Sequence, residues 1–207
     1  MNTKLLVPTD FTDVAHSAIQ HAVKFATIIN AEVVLLHVVS SREEVNKAKQ
    51  KLEAETSIGK SFNSSCSFKT VVRIGNIFDD IGDVASELGI SLIFMGTHGA
   101  STKQKIKGSD ALKVITNSPV PMIIVQEKLM TDTGYNHIVV PLDLNIETKQ
   151  KIELVAKIAQ YFDSQVHIVT LDGNDDFAKN KLKANQIWAS NYLEEKNVKH
   201  SSHLVDK

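Results

Sequence analysis

The sequence holds one cysteine, four prolines and one tryptophan in 207 residues, and it carries no excess charge of either sign. With Cys66 alone no intramolecular disulfide can form, which suits a reducing compartment. Its polar surroundings make this thiol a loop residue sooner than a nucleophile. Lysine and arginine total 23 against 24 acidic residues, so the bulk charge calls for no nucleic acid and no anionic membrane. No uninterrupted apolar run exceeds four residues, as at 33–36 and 122–125, whereas a spanning helix needs about 20. The N-terminus also lacks the roughly 7–15-residue apolar stretch of a secretory leader, so cytoplasmic residence is expected. What remains is an ordinary globular composition, 43% hydrophobic and 23% charged, with length for one large domain or one and a half small ones.

Five short apolar segments have the character of buried parallel strands: 4–9, 32–39, 68–73, 91–96 and 120–126. Between the first two, Ala15, Ala18, Ile19, Ala22, Val23 and Ala26 recur at intervals of three and four. That spacing predicts a helix over 13–30 with one apolar face. Helices are also predicted from 42 to about 58, over 76–88 and over 109–116. The stretch 57–67, with Gly59, Asn63 and several serines, predicts a surface loop. Alternating strands and helices predict an α/β fold, an open parallel sheet with helices on both faces. Ligands of such sheets bind beyond the carboxyl ends of the strands. Pro8-Thr9-Asp10, Val38-Val39 and Gly96-Thr97-His98-Gly99 therefore matter most.

Shifting the sequence by 133 positions aligns 4–38 with 137–171 without a gap. Val7, Pro8, Asp10, Ile19, Lys24, Ala26 and Val33 then meet identical residues at Val140, Pro141, Asp143, Ile152, Lys157, Ala159 and Val166. The shared Pro-x-Asp at the strand exit favours duplication over chance. Two domains are expected, 1–128 and an incomplete copy over 135–207. Lys207 corresponds to Ile74, so strand four, strand five and the glycine loop have no counterpart in the second copy. If strand one lies between strands two and four, the second copy leaves one edge of Ile138-Val139-Val140 unpaired. Another segment or chain is expected to cover that edge, or the second unit to be poorly ordered.

The chemistry concentrates after the fourth strand. Gly96-Thr97-His98-Gly99 is followed by eight residues and then by Gly108-Ser109 at a helix start. Glycines let backbone amides approach an anion, and free N–H groups at a helix start favour phosphate. Ser109 adds a hydroxyl and equally suits an N-cap; Gly96 and Gly99 equally suit a tight turn. Asp10 fits either a turn-capping or a ligand-binding role. His98 has no nucleophile or second histidine at a telling spacing, and Asp79-Asp80 is expected to form a solvated first turn. Only His200 and His203, three apart, echo a metal-binding pattern, and no metal site is expected.

With Pro-x-Asp after strand one, His-Val-Val in strand two and Met-Gly-Thr-His-Gly-Ala-Ser after strand four, the chain resembles the universal stress protein family. The resemblance covers 3–126, and 135–207 as a shortened second copy in the manner of tandem members. It implies a Rossmann-like, adenine nucleotide alpha hydrolase-like fold and a cytoplasmic stress-response or regulatory protein. It further implies ATP binding, with Mg2+, at a site drawn from Pro8, Thr9, Asp10, Val38, Gly96, His98, Gly99, Gly108 and Ser109. Asp10 and the Val38 backbone would face the adenosine, and Gly96, Gly99, Gly108 and Ser109 the phosphates. Family members usually place nine residues before the second glycine pair, and this chain places eight. The alternative is thus a non-nucleotide-binding interaction module or dimeric scaffold of the same fold. The resemblance also implies a homodimer through the fifth strand, Val120 to Gln126. No dedicated catalysis is expected beyond at most weak ATP hydrolysis, because no positioned general base or arginine clamp is in sight.

Overall fold

The computed structural model describes residues 3–97, 108–144, 148–171 and 176–205. They fall into two compact units, Met1–Met130 and Thr131–Lys207. In the first, β1 (Lys4–Pro8), α1 (Asp13–Ile29), β2 (Glu32–Val39), α2 (Val45–Phe62), β3 (Ser67–Ile74), α3 (Ile77–Leu88), β4 (Leu92–Gly96), α4 (Gly108–Asn117) and β5 (Met122–Val125) follow one another. All ladders are parallel, in the order β3-β2-β1-β4-β5. Leu5, Leu6 and Val7 on β1 and Val33, Val34, Leu35 and Leu36 on β2 are sealed on both faces, which is why these strands are apolar without alternation. On one face Leu6, Val34 and Leu36 pack with Ile81, Val84 and Ala85 of α3 and Val114 of α4. On the other face α1 lies over β1 and β4, with Phe25 edge-on to Phe94 at 5.5 Å. The expected sheet, with strand one between strands two and four, is what forms.

Two local expectations fail for physical reasons. Residues 57–67 are not a loop throughout, because α2 runs on to Phe62 and only 63–66 turn. Ser57 and Ser61 donate their hydroxyls to the carbonyls of Glu53 and Ile58, so their polarity is satisfied inside the helix. Gly59 is buried where α2 passes close to Phe68 and Ile19. Asp80 is likewise not solvated. Its Oδ1 accepts from Arg73 Nε at 2.9 Å and its Oδ2 from the Asn76 amide at 2.6 Å, tying α3 to β3. The Arg73 guanidinium holds the Asp80 carboxyl below its ordinary range.

Helix α1 is also buried beyond one face. Residues 127–130 run along it as a strap: Ser17 donates to the Glu127 carbonyl, His21 Nε2 to that of Lys128, and Gln20 both accepts from the Met130 amide and donates to its carbonyl. Lys24 Nζ donates to the same Met130 carbonyl at 3.3 Å.

The second unit is β6 (His137–Leu142), α5 (Thr148–Phe162), β7 (Gln165–Leu171), α6 (Asp176–Glu195) and β8 (His200–Val205), parallel in the order β6-β7-β8. His137 pairs with Gln165 and Ile138 with Val166, the same register by which Lys4 pairs with Glu32 and Leu5 with Val33. Helices α5 and α6 cover one face around Val140, Ile152, Val166, Ile168, Ala189 and Leu193. Among the described residues no helix of this unit covers the other face. Val139, the counterpart of fully buried Leu6, is 64% exposed. The outer edge of β6 has no ladder partner among the described residues.

Candidate functional site

Strand order reverses at β1, whose neighbours are reached by crossovers on opposite faces of the sheet. A crevice opens at such a switch point beyond the carboxyl ends of the strands. In the first unit it is a cleft of about 690 Å3, within the usual range for small-molecule sites. Its floor is Leu36, Met95 and Gly96, and its walls come from the exits of β1, β2 and β3 and from the start of α2.

The exit of β1 is shaped by hydrogen bonds that its own residue types make available. The Thr9 amide donates to the Leu36 carbonyl at 2.8 Å, continuing the ladder one residue past the strand. Thr9 Oγ1 accepts from the Phe11 amide at 3.0 Å and donates to Glu55 Oε2 at 3.3 Å. Asp10 Oδ1 accepts from the Thr12 amide at 3.2 Å and the Thr12 hydroxyl, closing an Asx turn before α1. Between them Phe11 is held at φ 67°, a left-handed conformation that a bulky residue rarely adopts. That conformation brings the Phe11 ring to 4.3 Å from His37, and Lys51 Nζ sits over the same ring, 4.7 Å from its centroid. His37 Nδ1 lies 2.7 Å from the Thr9 carbonyl, which can only accept, so Nδ1 carries the proton.

Behind Thr9, the carboxylate of Glu55 on α2 is buried and bridges to His16 Nε2 of α1 at 2.9 Å. At the rim, Glu44 Oε2 accepts from the Ser40 hydroxyl at 2.8 Å and the Ser40 amide at 3.0 Å, and the Ser40 contact holds its carboxyl below the ordinary range. Lys47 and Lys51, one turn apart on α2, supply the cations of the cleft.

Of the residues singled out in the sequence, Pro8, Thr9, Asp10, Val38 and Gly96 line this cleft together. Gly96 has a packing reason for being glycine: a Cβ there would lie 2.6 Å from the Val14 carbonyl oxygen, so the end of β4 passes against the first turn of α1. Gly108 and Ser109 open α4, whose first-turn amides have no helical acceptor. His98 and Gly99 lie outside the described residues. Sequence reasoning missed Phe11, His37, Glu55 and Lys51. Nothing in the spacing of a phenylalanine after Pro-x-Asp announces a left-handed backbone, and nothing in the sequence sets Glu55 apart from the other charged residues of its helix. The second unit keeps Asp143 at the place of Asp10, but Leu142 replaces Thr9 and Thr170 replaces His37, so the polar exit is not repeated. Cys66 lies outside the cleft, half-buried, and burial pushes its thiol up, away from reactivity at neutral pH.

A model of the universal stress protein family matches residues 1–126. A universal stress protein of Methanocaldococcus jannaschii is 29% identical over 157 residues, covering 62% of this chain and 97% of that protein. The crystal structure of a universal stress protein from Archaeoglobus fulgidus superposes with a TM-score of 0.79 at 18% identity, covering 99% of this chain and 78% of that one. A second Archaeoglobus fulgidus universal stress protein, solved in complex with dAMP, gives a TM-score of 0.50 at 20% identity over 60% of this chain and 98% of that one. Among the described residues no helix is long and apolar enough to cross a membrane.

Proposed function

The chain belongs to the universal stress protein family, and we propose that its first unit binds an adenine nucleotide, ATP with Mg2+, in the cleft beyond β1, β2 and β4. The observation that carries this reading is the convergence of Pro8, Thr9, Asp10, Val38 and Gly96, far apart in sequence, on one cleft at the switch point of the sheet. Asp10 and the Val38 backbone would meet the adenosine, as the family resemblance implies. The phosphates would run toward the amides at the start of α4, with Gly96, Gly99, Gly108 and Ser109 in the roles that the resemblance implies and His98 completing the set. Lys47 and Lys51 supply compensating charge at the open side. The same fold holds dAMP in the Archaeoglobus neighbour.

In this reading the protein is a cytoplasmic stress-response regulator whose nucleotide state is its message, and it pairs with a second copy through Val120 to Gln126. Titrating the whole chain with ATP and Mg2+ by calorimetry tests the site. Saturable heat is expected, with Asp10→Ala weakening binding about tenfold or more, equivalent to roughly 1.4 kcal/mol. A second reading, an interaction module without nucleotide, draws on the engagement of Asp10 Oδ1 by Thr12. Absence of heat and of any thermal shift at millimolar ATP would decide for it.

A further inference from the structure

Three histidines stand in a row across the bare face of the second sheet. His137 of β6 places Nδ1 3.0 Å from Nε2 of His167 on β7. On its other side His167 Nδ1 lies 3.0 Å from Ser201 Oγ and 3.4 Å from Nε2 of His203, both on β8. Ser201 Oγ and His203 Nε2 are themselves 2.9 Å apart. The rings lean over one another, with centroids 5.3 Å apart for His137 and His167 and 5.6 Å for His167 and His203. By strand register the corresponding positions of the first sheet are Lys4, Val34 and Val71. Val139 and Val169 keep the apolar character of Leu6 and Leu36 on the same face, so histidine enters this face only where the three rings can meet.

We propose that His137 Nδ1 and His167 Nε2 bind a first-row divalent metal ion that favours imidazole, of the zinc, nickel and copper class. Metal–nitrogen bonds of about 2.0–2.1 Å set two ligating nitrogens roughly 2.8–3.4 Å apart from right-angled to tetrahedral geometry, and the observed 3.0 Å falls in that range, toward its right-angled end. His167 is braced as a ligand must be. Its Nδ1 lies against Ser201 Oγ, with His203 behind, and in the tautomer whose Nδ1–H donates to that hydroxyl the Nε2 lone pair is left toward His137. An all-nitrogen pair disfavours Mg2+ and Ca2+, which seek oxygen. Among the described residues no three of His, Cys, Asp or Glu converge on one ion. The site is therefore a two-ligand one, braced by β8 and completed by water or by an incoming group. Sequence spacing could not reveal it, because its parts come from three strands. The visible pair fails, since His200 turns its Nδ1 to the Val198 carbonyl at 3.0 Å.

Titration of the untagged, metal-free full chain with Zn2+ tests the assignment, with no nucleotide present. One ion per chain is expected. His137→Ala and His167→Ala should each weaken binding by more than about tenfold, and Ser201→Ala by about tenfold, as loss of a supporting contact does. His200→Ala should leave binding unchanged. On the unaltered chain, the Cu2+ electron paramagnetic resonance spectrum should show coupling to two imidazole nitrogens. Zn2+ affinity untouched in the folded His137→Ala, His167→Ala double variant, or a Cu2+ spectrum without that coupling, would overturn the proposal.

Discussion

A methyl group at Gly96 would press on the Val14 carbonyl, so Gly96→Ala must move either the end of β4 or the first turn of α1. Overpacking of this kind costs about 1–3 kcal/mol, and a lowered urea midpoint of the first unit is the expected outcome. Thr170 offers the reverse case. Its hydroxyl is buried with no hydrogen-bond partner among the described residues, so Thr170→Val should stabilise the second unit by about 1 kcal/mol in the same measurement. His21 links stability to pH. Burial holds its imidazole below the ordinary value of 6.5, so the unfolded chain takes up the proton first. The stability it contributes is whole above about pH 6.5 and drains away as pH falls through the depressed native value. His21→Gln should flatten that acid slope in thermal melts. At this scale the sequence was legible for Pro8, Thr9, Asp10, Val38 and Gly96 as a converging set, because strand ends in a parallel sheet share one rim. It was silent on Phe11 and Glu55, whose roles depend on a backbone twist and on the packing of α1 against α2.

Among the elements, the helix period was readable where burial imposes one, as on α3, and β2 was readable as an unbroken apolar run because both its faces are sealed. Such patterns misled where burial is local. Ser57 and Ser61, on either side of Gly59, have turn chemistry, yet both find a helical carbonyl, and the close approach of Phe68 rewards the missing side chain at Gly59. The polar face of α1 was equally deceptive, because residues 127–130 supply the partners that water would otherwise provide. Gln20→Ala removes both hydrogen bonds to Met130 and takes from the buried Met130 amide its acceptor, while the carbonyl keeps Lys24 Nζ. A loss of about 1–3 kcal/mol is expected, together with faster amide exchange at Met130.

At the level of the whole chain, the pairing of copies through β5 is open to a direct trial. β5 lies at the edge of its sheet, and Ile124 is 38% exposed. Sedimentation should give twice the chain mass, and Ile124→Lys should halve it, since edge lysines oppose strand addition. The repeat in the sequence told where each strand of the second unit would fall, but not that histidines would gather where the first unit places Lys4, Val34 and Val71. The two sheets also differ in how far the chain must travel to close them. Joining Leu5 to Leu92 requires a long excursion, whereas each ladder of the second sheet links consecutive strands. Trp188, the sole tryptophan, stacks on Tyr192 inside the second unit. After a jump out of denaturant, its fluorescence should recover ahead of the far-ultraviolet dichroism of the full molecule, because short loops close sooner than long ones.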